Sequence, residues 1–472
     1  MIRRVLREYC KITPIVLMGI TDVDDKIIRR ANESGIAIGT LTRSTELSFF
    51  NDLASLNVLP PTALARVTEN IPQIVEFIQA IHDKGLAYHD SSGGSLCFDV
   101  GAYEASEGKH YFKFSSPYEQ RDTALSKGKK DPRDFALWKL GKPGEPTWES
   151  PFGNGRPGWH IECSAMASRY FGSHIDIHSG GRDLAFPHHE NEEAQSCAFH
   201  DCTQWATHYI HTGHLYMGDE EKMSKSLGNT KSVPELLQEC SARFFRIFCL
   251  LTHYRRDLKV SPSNVEHARS FDQIFVSLMA SIRKYLSGSL PLPRPLDEPE
   301  VEQWMMKAKS EFQRALTSDF NSPLALHSML TLANRLAPIL HPSYDAPLSA
   351  SNTQVKGFSS SLTLLGNLQE FFEEKLGSIG LDFRSNSRTV PANEDLPVAL
   401  VDSVVAFRDR VRRCSLEIPK EVSSSVKKQL LTACDEFRSE LDAHSVMIKD
   451  HGKSGSSWSF RSSTRRVSGE SR

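Results

Sequence analysis

The chain has 472 residues, 39% hydrophobic and 24% charged, with a formal net charge of −2. That length suits two to four domains with real cores, and no apolar run approaches the ~20 residues needed to span a bilayer. Nine cysteines scattered singly, with no Cys-x-x-Cys, point to free thiols and against a disulfide framework, while the near-neutral charge excludes a uniformly basic nucleic-acid binder but not a protein with one basic face.

In chain order, the basic Met1–Glu8 stretch is too short and too close to a strand to serve as a transit peptide. Pro14–Met18 is an apolar run ending at Gly19 and reads as a buried parallel strand. Asp22 to Ser34 follows with a helical pattern that begins with acids, as a helix N-terminus favours. Pro72 opens another helix, with Ile74, Val75, Ile78 and Ile81 on one face. The Gly/Ser/Pro-rich region from about 85 to 157 reads as an insertion with a strand at Leu96–Val100. From Ser232 helical periodicity dominates, and Phe244, Phe245, Ile247, Phe248, Leu250 and Leu251 fit a helix buried on more than one side. Two linkers follow, one holding Pro291, Pro293, Pro295 and Pro299, the other running from Gly380 to Pro397. Helices are expected around Val398–Leu416 and Pro419–Ala443, and the Ser/Gly/Arg-rich stretch 450–472 is expected to lack structure.

Chemistry concentrates between Gly158 and Asn229. His188 and Glu192 are four apart and share one face of a helix. With Cys163 from a separate segment they could form an open zinc site with three protein ligands. On spacing alone the same residues also fit a surface helix pair and a buried cysteine. His189 and Glu190 point elsewhere on that helix and read as supporting or solvent-facing groups. Ile175 and Ile177 suggest a strand carrying His174 and His178 on one face. Lys222 and Lys225, three apart on a loop shaped by Ser224 and Ser226, can fold over a triphosphate and neutralise the charge of departing pyrophosphate.

The full string Lys222-Met223-Ser224-Lys225-Ser226-Leu227-Gly228-Asn229 resembles the mobile ATP loop of class I aminoacyl-tRNA synthetases. Taken with Gly158–Met166 and the Phe186-Pro187-His188-His189-Glu190-Asn191-Glu192 run, the chain resembles cysteinyl-tRNA synthetases of the bacterial/mitochondrial type over roughly Arg3 to Asp450. The resemblance implies an α/β fold, a Rossmann-like class I catalytic core without its first strand and helix, followed by all-α domains. It places the catalytic core at 1–232 with its insertion at 85–157, a helical stem-contact region at 233–290, a helical bundle at 300–380 and an anticodon-side region at 397–449. The Asp319-Phe320-Asn321-Ser322-Pro323 string resembles a signature of the helical part, and Arg408, Arg410, Arg412 and Arg413 could contact phosphates. It further implies zinc on Cys163, His188 and Glu192; a substrate pocket of Thr21, Trp159, His178 and Asp183; ATP with Mg2+, L-cysteine and tRNA(Cys) as substrates; a monomer; and the mitochondrial matrix, or otherwise the cytoplasm. Zinc suits this task because it prefers a soft thiolate to a hydroxyl.

Two departures shape the expectations. The family's upstream His-x-Gly-His is missing before Thr21, and His211-Thr212-Gly213-His214 lies too late in the chain to replace it, so that string reads as a coincidence. The chain therefore reads as N-terminally truncated, expected to be nearly inactive in cysteine-dependent ATP–pyrophosphate exchange; the alternative is an isoform that keeps zinc or tRNA binding without adenylation. A persulfide-forming side activity of the family would use pyridoxal phosphate on the lysines of Lys-Ile-Ile-Lys; here Lys26-Ile27-Ile28-Arg29 leaves Lys26 and the loop lysines Lys222 and Lys225 as candidates. A zinc hydrolase is the remaining reading, and it leaves the 222–229 loop unexplained.

Overall fold

The computed structural model of the chain describes residues 1–114, 128–217, 221–222, 231–292, 294–340, 355–384, 398–417, 424–443, 446–451 and 455–460. An opening turn, α1 (Ile2–Arg4), widens through Tyr9. β1 (Leu17–Ile20) then leads to α2 (Asp25–Ser34), capped by Asp24, whose carboxylate accepts the Ile27 N–H at 2.6 Å. After α3 (Ile38–Ser55), β2 (Ala63–Arg66) pairs parallel with β1, Leu17 opposite Ala63. The strand expected at Pro14–Met18 thus begins three residues later and is only half-buried. Pro14 has no N–H to give a ladder, Ile15 is 71% exposed, and Val16 is held by Thr62 Oγ1 at 3.0 Å.

α4 (Ile71–Asp83) buries Ile71, Ile74, Phe77, Ile78 and Ile81 in the apolar core of the N-terminal half. Next comes an antiparallel sheet in sequential order, β3 (Ala87–His89), β4 (Ser95–Phe98), β5 (Phe135–Leu140) and β6 (Gly155–Pro157), with α5 (Val100–Ala105) between its second and third strands. α6 (Trp159–Phe171) runs from this sheet to a second parallel pair, β7 (Ile175–Gly181) and β8 (Ala206–Thr212), joined by α7 (Glu190–His200). Among the described residues up to Thr212, parallel pairing therefore occurs as two separate pairs. α6 serves both: its buried Ile161 and Met166 fill the same core as β1's neighbours, and Met166 Cε lies 3.6 Å from where a Gly19 side chain would begin.

The helical half starts after a small sheet in which β9 (Leu215–Met217) lies between β10 (Glu221–Lys222) and the later β11 (Leu258–Val260). α8 (Val233–Glu239) opens on a Ser232/Glu235 capping box. α9 (Ala242–Leu250), α10 (Pro262–Leu286), α11 (Glu298–Thr317), α12 (Ser322–Leu340) and α13 (Val355–Ser378) share one apolar core that includes Phe271, Phe275, Phe312, Leu332 and Phe372. The Asp319–Pro323 string forms the α11–α12 turn, with Asp319 and Phe320 at φ 56° and 51°. Asp319 accepts the Tyr254 hydroxyl at 2.6 Å and pairs with Arg255 at 2.9 Å. The turn thus holds the loop ahead of β11. Arg246 ties the two halves together, donating to the carbonyls of Gly380 (3.0 Å) and Ile379 (2.9 Å) beside Leu56 and Asn57.

The last unit departs from expectation twice. α14 (Val398–Glu417) and α15 (Ser424–Ala443) are followed by a hairpin in which β12 (Val446–Asp450) pairs antiparallel with β13 (Ser456–Phe460), where no structure was expected beyond 450. Alternate positions explain it: Val446 and Ile448 bury against Val401 and Val405, with Trp458 packed beside them. The expected phosphate-binding arginines are also largely committed. Arg408 is 2% exposed and holds Asp450 through both terminal guanidinium nitrogens, at 2.6 and 3.1 Å; Arg412 pairs with Asp435 and Asp450, and Arg413 with Asp409. Arg410 stays exposed. Among the described residues no helix is long and apolar enough to cross a membrane.

Burial alone would raise the Asp450 pKa, but the bonds from Arg408 and Ser456 hold it down to about 2. A folded value below the unfolded one contributes stability that is full above pH ~4 and disappears as pH falls through about 2. Arg408→Ala removes the buried bidentate partner of that carboxylate while Arg412 and Ser456 stay beside it, an expected cost of about 3 kcal/mol, the low end for a broken buried pair. Hydrogen exchange should show β12 and β13 losing protection while α10–α12 keep theirs; equal protection in the variant would refute the assigned role.

Candidate active site

α6 begins flush against the antiparallel sheet. A Cβ on Gly158 would overlap the Ala136 carbonyl oxygen, so only glycine lets the chain pass there. Trp159 then stands 47% exposed at the mouth, and Cys163, one turn on, points inward from the same face. Ser164 Oγ donates to the Glu192 carbonyl at 3.2 Å and receives Gln195 Nε2 at 3.0 Å, fixing α6 against α7. A wide turn over Ala185–His189 delivers His188 and His189 just before α7 starts.

Three imidazoles converge on the Glu192 carboxylate, which is 1% exposed. His178 Nε2, from β7, is 2.9 Å from Oε2; His188 Nε2 is 3.6 Å away and His189 Nε2 3.9 Å. Two of the three are backed by a further ring. His160 Nδ1 lies 2.9 Å from His188 Nδ1, and His211 Nε2 lies 2.8 Å from His189 Nδ1. Gly180 makes room for this, because a Cβ there would come within 2.8 Å of the His189 ring. Trp159 stacks on His188 with centroids 4.3 Å apart.

The electrostatics follow from burial set against this ring of histidines. Desolvation would raise the Glu192 pKa, but His178, His188 and His189 outweigh it and hold the carboxyl at about 2. His178 is raised, burial being overcome by its bond to Glu192. His160 and His189 are pushed down to about 3, chiefly by burial. Cys163 keeps some exposed surface as a residue while its thiol end is enclosed; burial first, then the Glu192 and Glu162 carboxylates, drive the thiol far above its ordinary range.

The ligand atoms of Cys163, His188 and Glu192 lie within 4.8 Å of one another, and so do those of His178, His189 and Glu192. Glu192 Oε1 is buried with no hydrogen-bond partner. A soft thiol, an imidazole and an orphaned carboxylate oxygen facing one point form a donor set suited to zinc.

The other expected pocket residues surround this point. Thr21, just after β1, donates to Glu162 Oε2 at 3.4 Å; burial raises that glutamate well above its ordinary pKa. Asp183 is 2.9 Å from His214 Nε2, while the His214 N–H and Arg182 both bond Asp257. His211 and His214, read from sequence as a coincidence, thus reach this site through His189 and Asp183. His189 and Glu190, expected as supporting or solvent-facing groups, are 2% and 0% exposed, which leaves the supporting role. Lys222 lies in β10 opposite Tyr216, whereas Ser224, Lys225 and Ser226 fall outside the described residues.

The first 270 residues match the family model described as tRNA synthetases class I (C) catalytic domain. The chain is 39% identical to the probable mitochondrial cysteine–tRNA ligase of Xenopus tropicalis, covering 97% of this chain and 81% of that one. It is 36% identical to the cytoplasmic cysteine–tRNA ligase of Dictyostelium discoideum (97% and 70% covered) and 34% identical to that of Thermococcus onnurineus (95% and 87%). The chain belongs to the cysteine–tRNA ligases. Such an enzyme is an aminoacyl-tRNA synthetase working on cysteine, ATP and tRNA. Its fold is that of class I: Mycobacterium tuberculosis methionyl-tRNA synthetase, solved with methionyl-adenylate, aligns with TM-score 0.57 at 13% identity, covering 80% of this chain and 86% of that one. Pyridoxal phosphate finds no such support, and Lys26 lies exposed on α2.

Glu192→Gln keeps the shape and removes the charge that draws the three imidazoles together. Removing a group beside a metal typically costs 10–100-fold in affinity, and a direct ligand at least that. Zinc measured by mass spectrometry of the native, zinc-equilibrated protein should fall from one equivalent toward none; full occupancy in the variant would move the site elsewhere.

Proposed function

We propose that this cysteine–tRNA ligase activates L-cysteine as cysteinyl-adenylate and passes it to tRNA(Cys), with a zinc ion on Cys163, His188 and Glu192 choosing the thiol. The observation that carries this reading is the convergence of those three donors at a buried point beside an orphaned carboxylate oxygen. Zinc bound there would hold a thiolate and bind a serine hydroxyl poorly, a discrimination beyond the ~1–3 kcal/mol a shape pocket gains per methylene.

The chain's own residues take the remaining tasks. Trp159, stacked on His188, forms the wall that shields a side chain entering from solvent. Asp183, half-exposed and oriented by His214, faces the substrate ammonium. Thr21 and His178 bound the pocket from β1 and β7, and His178 keeps the Glu192 carboxylate ionised. Lys222 and Lys225, with Ser224 and Ser226, neutralise charge on the triphosphate as pyrophosphate departs. Mg2+ accompanies ATP as part of the substrate. The exposed Arg410 is the phosphate contact left among the four arginines of α14. We place the protein in the mitochondrial matrix as a monomer, the former by likeness to the Xenopus ligase.

Cysteine-dependent ATP–pyrophosphate exchange tests the reading. Whatever its rate, exchange should run with cysteine and not serine. Cys163→Ser should lose zinc and at least ~100-fold in exchange rate together, the scale of losing a catalytic electrostatic group. A variant that loses its metal yet still rejects serine would show that selectivity lies elsewhere.

A further inference from the structure

Beyond the zinc donors, α7 carries a second thiol feature at its other end. Cys197 is 0% exposed in the catalytic core. The chain then turns at Asp201, whose φ of 56° reverses its direction, and brings Cys202, half-buried, back over the helix end. The two sulfurs lie 3.8 Å apart. Two lysines fix the return. Lys109 Nζ donates to the carbonyls of Cys197 and Cys202 at 2.9 and 2.6 Å, and Lys84 Nζ to those of Ala198 and Phe199 at 2.8 and 2.7 Å. A disulfide needs sulfurs ~2.05 Å apart on Cβ atoms ~3.5–4.5 Å apart, and thiols already in contact on a pinned turn approach that geometry by side-chain rotation.

We propose that Cys197 and Cys202 form a redox-modification site that reacts with small disulfides of the cystine type. The Cys202 thiolate, the accessible one, attacks one sulfur of cystine; the cystine S–S bond breaks and one cysteine leaves. Cys197 then attacks the Cys202 sulfur of the mixed disulfide and expels the second cysteine. Two protein thiols are oxidised to one disulfide, one cystine is reduced to two cysteines, and the two protons go to the departing thiolates. Burial, joined by Glu193, holds the Cys197 thiol well above its ordinary range, so the second step is the slower and the Cys202 adduct builds up first. Free cysteine drives the sequence backwards, so the pair follows the balance between the ligase's substrate and its oxidised form. The site stands independently of the zinc assignment.

The test incubates the native full chain with cystine, blocks remaining thiols by alkylation and reads peptide masses over time. The peptide holding Cys197 and Cys202 should first gain one cysteinyl group and then end short of two hydrogens, recovering both on addition of free cysteine. Cys197→Ala should stop at the cysteinyl adduct on Cys202, and Cys202→Ser should leave Cys197 unmodified. The exposed Cys10 and Cys414 serve as internal controls for reagent. If they gain cysteinyl groups while Cys197 and Cys202 of the wild-type chain both remain alkylatable thiols, the proposal is overturned.

Discussion

Removing a carboxylate from water is costly unless donors or positive charge meet it, and the catalytic half of this protein is arranged around one such case. Glu192 lies at the junction of α6, α7 and β7 with His178, His188 and His189 all within 3.9 Å. The rings come from two pieces of local structure: His178 from a strand, and His188 and His189 from the wide turn before α7. Because two of them are backed by His160 and His211, moving any element would unpair more than one buried nitrogen. The ionised state at the centre thus sets the docking of the elements around it.

The neighbouring carboxylates of α7 show how the helix is held while carrying so much charge. Glu190 accepts the Phe114 N–H at 2.8 Å and, being mainly desolvated, is pushed up. Glu193 is also desolvated, but Lys113, the Tyr209 hydroxyl and the Trp205 N–H win and hold it down. Both Trp205 and Tyr209 belong to the segment that becomes β8. Glu193 therefore places Lys113 of the inserted region and the strand carrying His211, while Glu192, one residue earlier, organises the site.

Much of this was legible in the sequence. The four-residue spacing of His188 and Glu192 marks two groups that do meet, although His188 sits in the wide turn before α7, and the acid-led start of the 22–34 segment and Pro72 mark real helix starts. The resemblance carried by Gly158–Met166 and Lys222–Asn229 led to the family. What escaped was burial on all sides. A helix wheel assigns His189 and Glu190 to faces away from His188, and nothing local says that those faces meet β8 and Phe114. His211 and His214 were set aside because their motif lay in the wrong place; their function as neighbours of His189 and Asp183 depends on the parallel pairing of β7 with β8 and on Asp257 gripping the His214 N–H. Arg408 looked like a surface cation because its partner, Asp450, is 42 residues away.

Cys163 and Glu192 pose a last constraint. Two anions cannot share an enclosed point, and the carboxylate, supported by three imidazoles, has taken the charge. The thiol is accordingly driven to its neutral form by burial and by that carboxylate. Deprotonating it requires added positive charge at that point, which is where the unsatisfied Glu192 Oε1 also lies. The same arrangement that makes the bare thiol a poor ligand makes cation capture and proton release one event. On the proposed function, selectivity for a thiol substrate would be a property of the whole histidine-lined chamber: its rings keep Glu192 ionised, that carboxylate would hold the cation, and Trp159 would limit what approaches it.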